Sequence, residues 1–537
     1  MSNRILMFML VNMTIFGTML GFGKKTFFDT ATRTELVELV DMMRSLFSDE
    51  CFHGSLTIYA RQTFQEKKIS QFLFGNTPLV FSGSLIPNRA STDILADYFA
   101  LPLDFYSTVC FEPKISNVSL NVDIYSALDD VCEGAYFWLH LPIVETLWNL
   151  QLRENIISAG MLPYPAGYLS TETIARAVTP TTPMEQLKNV LPSDVETVFE
   201  GHTTIGDLRE PLRFGKIFGK LNMLRVADIR LQLGWRFCDN GRHQASWYAL
   251  IGMPTSNRPR AEFLFEPLVG NAGRWQLGVG LNLNESSDSF LGYEECSVAF
   301  YADGYVSHLF STKQRRSFDF KSNGPGSRYM LLAAANSPAQ NLLLGGVAPT
   351  TQYQGKLAPA INYTTLDVHV SIGVQASLTA ALCATWCGAC ITFGYSFFAR
   401  SGEKLNKRSC FPSNQFTFKG DSQIYGFGPL PAQTPDALNF SQDSATINGG
   451  QGATNFAPGM QFANKNVDSP QLATDGASTV LTQLTMADAV MFGVPQQQVS
   501  GSQPAILVQD ADLDLTSGIL PRAISNTIFF TFERKLI

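Results

Sequence analysis

Apolar and polar residues alternate with period two along much of this chain. Leu366, Val368, Val370, Ile372, Val374, Ala376, Leu378, Ala380 and Leu382 fall on one face of an extended segment, and Asp367, His369, Ser371, Gly373, Gln375, Ser377 and Thr379 on the other. Such alternation marks a strand whose two faces meet different surroundings. Globular strands average ~5–6 residues, whereas a tilted membrane strand needs ~9–11. The length of this run therefore points to a membrane strand. The pattern recurs where Val118, Leu120, Val122 and Ile124 oppose Asn117, Ser119, Asn121 and Asp123. It recurs again where Ile229, Leu231, Leu233, Trp235 and Phe237 oppose Asp228, Arg230, Gln232 and Arg236. Trp275, Leu277, Val279, Leu281 and Leu283 likewise oppose Gln276, Gly278, Gly280, Asn282 and Asn284. One run changes phase: Phe137, Leu139, Leu141 and Ile143 stand on odd positions, Trp148, Leu150 and Leu152 on even ones, and a bulge near Pro142 to Thr146 would reconcile them.

The connections sort by length. Leu128 to Glu133, Asp239 to Arg242 (with the hairpin pair Asn240-Gly241) and Cys383 to Gly388 are tight, while 154–225, 254–273 and 311–363 are long. Bacterial barrels place short turns in the periplasm and long loops outside. The expectation is an all-β chain, a transmembrane antiparallel β-barrel of roughly 14–16 strands with long extracellular loops. Apolar rows would face lipid and polar rows a wet lumen, with Gly278, Gly280 and Gly373 leaving space inside. Trp235, Trp247, Trp275 and Phe310, near strand ends, suit an interfacial aromatic girdle. Two regions stand apart. Leu36, Leu39, Val40, Met43 and Leu46 predict a short amphipathic helix over 32–47, and the Pro-, Gly-, Ser- and Asn-rich stretch 429–480 reads as a low-complexity insert.

Composition sharpens this picture. Charged residues make up 16% of 537 and aromatics 12%, against roughly a quarter charged in ordinary soluble domains. The mean hydropathy of +0.03 is far below that of a helical membrane protein. A net charge of −7 without a basic stretch argues against nucleic acid as a partner. Arg4, the apolar Ile5 to Leu20 and the small residues Gly21 and Gly23 predict a secretory signal peptide over 1–23. Residues 24–51 then form an N-terminal periplasmic or plug segment, and 52–537 the barrel.

Catalytic chemistry has little foothold. The histidines His53, His140, His202, His243, His308 and His369 are scattered, and no zinc, phosphate-loop, dinucleotide or nucleophile-elbow motif is present. No cofactor or metal is expected, and the chain reads as a non-enzyme. Of nine cysteines only Cys383, Cys387 and Cys390 cluster, at a hairpin tip, where a disulfide and free thiols are both open readings.

Several stretches carry a resemblance: Gly23-Lys24-Lys25-Thr26-Phe27-Phe28, ADYFALPLDF from Ala96 to Phe105, GWRFCDNGRHQASWYALIGMPTSNRP from Gly234 to Pro259, and AEFLFEPLVGNAGRWQLGVGL from Ala261 to Leu281. In these the chain resembles the porin-like outer-membrane β-barrel proteins of small-genome, host-associated Gram-negative bacteria. The resemblance implies an exported barrel, inserted by the barrel-assembly machinery into outer-membrane lipid, and it supplies no catalytic residues. The chain departs from that pattern in ending Lys535-Leu536-Ile537 without a terminal aromatic. The functional expectation is a porin-like channel for passive diffusion of small polar solutes. The alternative is a surface-exposed, barrel-anchored protein whose loops contact host or neighbouring cells. A homo-oligomer stays open under either. The lumen would carry Asp123, Asp228, Arg230, Arg236, Asp367, His369 and Gln375, of mixed sign, and hence a weakly selective passage.

Overall fold

The computed structural model describes residues 25–29, 52–63, 66–75, 77–164, 167–172, 174, 191–287, 296–336, 352–386, 389–420, 424–427, 435–437, 444–449 and 506–534. The expected signal peptide at 1–23, the helix at 32–47 and most of the insert 429–480 lie outside the described residues.

Ten strands form the main path of one large sheet: β1 (Phe52–Gln62), β2 (Lys114–Ala127), β3 (Ala135–Asn149), β4 (Ile229–Asp239), β5 (His243–Met253), β6 (Gln276–Ser287), β7 (Cys296–Ser317), β8 (Thr365–Trp386), β9 (Ala389–Arg400) and β10 (Ala523–Arg534). Each pairs antiparallel with its neighbours in sequence, which makes the sheet an up-and-down meander. Two short strands add to it, Lys220–Val226 on β3 and Glu403–Lys407 on β8. The sheet curls into a half-barrel. Among the described residues the path falls short of the roughly 14–16 strands expected. No described helix is long and apolar enough to cross a membrane.

Every long connection leaves one end of this sheet, and the tight turns after β2, β4 and β8 lie at the other. Side chains divide by face as the alternation requires. On the convex side Leu56 is 68% exposed, Val279 63% and Ile528 65%. On the concave side Asn121, Tyr248, Gln276, Asp303 and Thr379 are buried.

Two expectations about phase need correction. β3 carries no bulge, because it registers with β2 without interruption from Asn149 against Lys114 to Tyr136 against Ala127. Phe137, Leu139, Leu141 and Ile143 lie on the convex face and Trp148 on the concave one, where its ring meets Phe28 and Phe265. At that end the concave positions Val144 and Trp148 are apolar and the convex ones include Glu145 and Asn149, so the apparent phase change needs no backbone defect. The opposite holds in β8. Ser307 pairs with Gln375, Leu309 with Ile372 and Thr312 with Val370, so first β8 and then β7 carries an extra residue. That bulge reverses the phase at Gly373 and Val374. Leu366, Val368, Val370 and Ile372 are therefore buried on the same side as Gln375, Ser377 and Thr379, while Val374, Leu378 and Leu382 point outward.

The glycines do not open the interior as expected. A Cβ on Gly280 would lie 2.1 Å from the Tyr248 ring, and one on Gly234 2.1 Å from the Tyr136 ring. Tyr248 stands opposite Gly280, and Tyr136 opposite Gly234, across the ladder. Each tyrosine lies flat on a neighbouring strand that has no side chain there, which covers the glycine and fixes the register.

The long connections are folded where the structure describes them. They build a cap with its own small sheets, one from Ile94–Leu95, Leu79–Ser82, Tyr106–Phe111 and Leu152–Ser158, another from Gln352–Pro359, Leu331–Asn336 and Phe416–Phe418. One apolar core unites them, including Leu73, Phe81, Phe99, Phe199, Tyr329, Leu357 and Phe418, and it continues into the concave face through Trp148, Leu366, Val368 and Val370.

Gly280→Ala should destabilise the sheet by ~1–3 kcal/mol, since the methyl displaces a packed ring. Tyr248→Ala should remove most of that penalty. A double-mutant cycle on urea unfolding reads the coupling, and additive effects would contradict the pairing.

Candidate functional site

The concave face falls into two zones. Towards the turn end it is polar and knitted together. The Asp123 carboxylate lies 2.8 Å from His140 Nδ1, and the His140 ring stacks on Trp138. Tyr248 donates to Asp303 at 2.9 Å, Gln276 Nε2 to Ser307 at 2.9 Å, Thr379 to Ser396 at 3.0 Å and Asn284 Nδ2 to Gln244 at 3.2 Å. Tyr125, Tyr136, Trp138, Tyr248, Tyr301 and Tyr305 pack into one cluster among these groups. In each of these pairs a donor on one strand meets an acceptor on another, which offsets part of the cost of removing the groups from water.

The expected lumen residues are dispersed. Asp123 and Gln375 are buried on the concave face. Arg236 lies at the turn end, 2.8 Å from Asp129 and 3.2 Å from Asp239. Asp228 and Arg230 meet at the cap end, where they line a small cleft with Val144, Val269 and Asn271. Asp228 there accepts from Ser256 Oγ at 2.6 Å and from the Asn271 N–H, tying the connection 254–273 to the wall. Asp367 and His369 stand on the other face from Gln375. Asp367 pairs with Lys313 at 2.8 Å and Arg315 at 3.3 Å, and His369 faces Ser311. The bulge in β8 is the reason. Cys383 is disulfide-bonded; the side chains of Cys387 and Cys390 lie outside the described ones. Cys110, Cys132, Cys238 and Cys410 are free.

A buried ionic cluster at the seam between wall and cap escaped the sequence reading. Arg274 Nη2 lies 2.6 Å, and Arg316 Nη2 3.3 Å, from the same oxygen of Glu403, and all three side chains are 1% exposed. The other Glu403 oxygen accepts from Leu520 N at 3.0 Å. Arg400 reaches Asp29 at 3.3 Å, and the Arg316 guanidinium lies 3.1 Å over the Phe27 ring. The strip Lys25–Asp29 is thus part of the seam. Phe28 packs against Trp148, Phe265 and Phe72, and Thr26 donates its N–H to Ser517 O at 3.3 Å. The charged members come from four distant stretches of chain, so no local spacing announces the cluster. The faint signal is Arg316 on the same face as Thr312 and Gln314.

The cap holds buried carboxyls. Asp97 accepts from Ser84 N at 3.0 Å and Tyr168 Oη at 3.1 Å, yet burial pushes its pKa up to about 6. Burial likewise raises Glu266 to about 7, although the N–H groups of Arg260 and Ala261 donate to it. Asp228 is raised to about 6, again by burial.

Comparison with protein-family models and with curated proteins finds no match for this chain.

These carboxyls bind a proton more tightly folded than unfolded. Their contribution to stability is thus greatest below the ordinary carboxylate pKa and falls as pH rises through about 6 to 7. The cap should therefore melt at a higher temperature at pH 5 than at pH 8. Asp97→Asn should flatten the profile by an amount on the order of 1–3 kcal/mol. Calorimetry across that range tests it, and a wild-type midpoint that rises with pH would contradict the assignment.

Proposed function

We propose that this protein is an outer-membrane β-barrel of a Gram-negative cell whose barrel anchors a folded, surface-presented cap. The observation that carries the reading is the convex face of the meander. It is an exposed apolar row on strand after strand, including Leu56, Val279, Leu281, Leu378, Phe393 and Ile528. A soluble sheet would bury such rows or make them polar; lipid accepts them. Exposed aromatics flank the band. Trp235 and Trp247 face each other across β4 and β5, while Trp275 and Phe310 share a backbone hydrogen bond nearer the cap. Trp247 stands opposite Leu281, six positions along from Trp275, or ~20 Å at ~3.3 Å per residue. This is of the order of an apolar band ~25 Å tall. Sorting of long connections to one end supports the same orientation, with the cap outside and the turns in the periplasm.

Closure completes the proposal. β1 runs from the turn end to the cap and β10 from the cap to the turn end, the relative direction that an antiparallel seam between them needs. Ten strands joined this way would make an even-numbered barrel. The barrel-assembly machinery would form that seam on insertion.

Of the two roles expected from sequence, the anchored cap is favoured by the filled concave face: polar pairs and tyrosines occupy one zone, the cap core the other. A diffusion channel for small polar solutes is the second reading, favoured by the polar lining from Asp123 to Ser396. Planar-bilayer recording separates them. The anchor predicts insertion without stable conductance steps, together with protease cleavage of the cap on intact cells. Open, weakly selective steps would move the assignment to the channel.

Val279→Arg should weaken insertion by ~2–4 kcal/mol if its position lies near the bilayer midplane. Val279→Leu should insert normally. Equal vesicle insertion of the two variants would count against a lipid-facing convex side.

A further inference from the structure

The seam between cap and wall holds more positive than negative charge. Arg274, Arg316 and Arg400 face Glu403 and Asp29, and every one of these side chains is at most 7% exposed. Glu403 is fully engaged, with one oxygen shared by two arginines and the other on a backbone N–H. Arg316 Nη1, Arg400 Nε and Asp29 Oδ1 have no hydrogen-bond partner among the described residues. Guanidinium groups donate through a planar fork suited to carboxylate and phosphate oxygens, and a buried one left with open N–H groups is costly. Asp29 supplies a single contact to Arg400, through Oδ2 at 3.3 Å. It arrives on a short strip anchored by the aromatic packing of Phe27 and Phe28 and by bonds to Thr516 and Ser517.

We propose that Arg316 and Arg400, supported by Arg274, form a binding station for a small oxyanion on the concave wall, and that Asp29 is a built-in ligand occupying it. The strip and a free oxyanion compete for the same guanidinium N–H groups. Withdrawing the Asp29 carboxylate leaves three guanidinium groups against Glu403 alone, which raises the demand for an anion from solution. Hydrogen-bond geometry favours an oxyanion over chloride, because a flat fork engages two oxygens at once. The proposal concerns the seam and does not depend on whether the barrel conducts.

The test uses the full chain refolded in detergent, with inorganic phosphate titrated against chloride at constant ionic strength. Asp29→Ala should show a saturable rise in melting temperature, with an apparent affinity for phosphate at least tenfold above that of wild type. Asp29→Ala combined with Arg400→Gln should lose that response. If Asp29→Ala does not refold in chloride, recovery of its refolding by phosphate reads the same site, and the isosteric Asp29→Asn provides the parallel measurement. Equal phosphate responses in wild type and folded variant would overturn the station. So would failure of phosphate to stabilise or refold either variant, or a response that survives the loss of Arg400.

Discussion

The pairing of each strand with its sequence neighbour is the constraint on which everything else here rests. A meander satisfies the backbone N–H and C=O groups between adjacent strands and leaves only side chains to distinguish the two faces. Once that ladder is set, period two decides which groups meet the interior and which meet the surroundings. A one-residue slip would exchange them along a whole strand. The tyrosine–glycine pairs at 136 and 234, and at 248 and 280, guard against such a slip, since only the observed register lays each ring over a missing side chain. The bulge shared by β7 and β8 is where the two longest strands change phase. It lets a single long strand present apolar residues to the cap core and polar ones to the interior further along, without turning its apolar row inward at the turn end.

Much of this was legible along the chain because period two needs no tertiary knowledge. The rows of β2, β4 and β6 lie on the faces that their alternation assigned, and the tight turns at 128–134 and 240–242 stand where Gly, Asp and Asn mark them. What failed had a physical reason. In β8 the even positions are apolar from Leu366 through Leu382, so a bulge between two apolar stretches leaves no trace in the pattern. In β3 the reverse occurred: Trp148 on a concave face made apolar by the cap imitated a bulge that is absent.

The cap was illegible for a different reason. Its strands are two to eight residues long and pair with partners from far along the chain, as when Leu332 meets Phe418. Short segments of that kind carry no period long enough to count, and their Pro and Gly content reads as loop. The arginine cluster shares this property: 129 residues separate Arg274 from Glu403, and 371 separate Asp29 from Arg400. Charges that far apart in sequence reveal nothing of each other until the wall and cap are assembled.

The bond from Thr26 to Ser517 spans 491 residues, and that separation bears on the order of folding. Closing so large a loop from an unordered chain costs about 5 kcal/mol in the logarithmic term alone, far beyond what one hydrogen bond returns. Neighbouring strands, by contrast, close over a few residues at each tight turn. The strip therefore gains its place only after the meander and cap have brought residues 516–517 beside the wall, which makes its docking a late step. Protection of the Thr26 amide in a pulse-labelled refolding time course would then mark the arrival of the finished molecule, after the amides of β4 and β5 are already shielded.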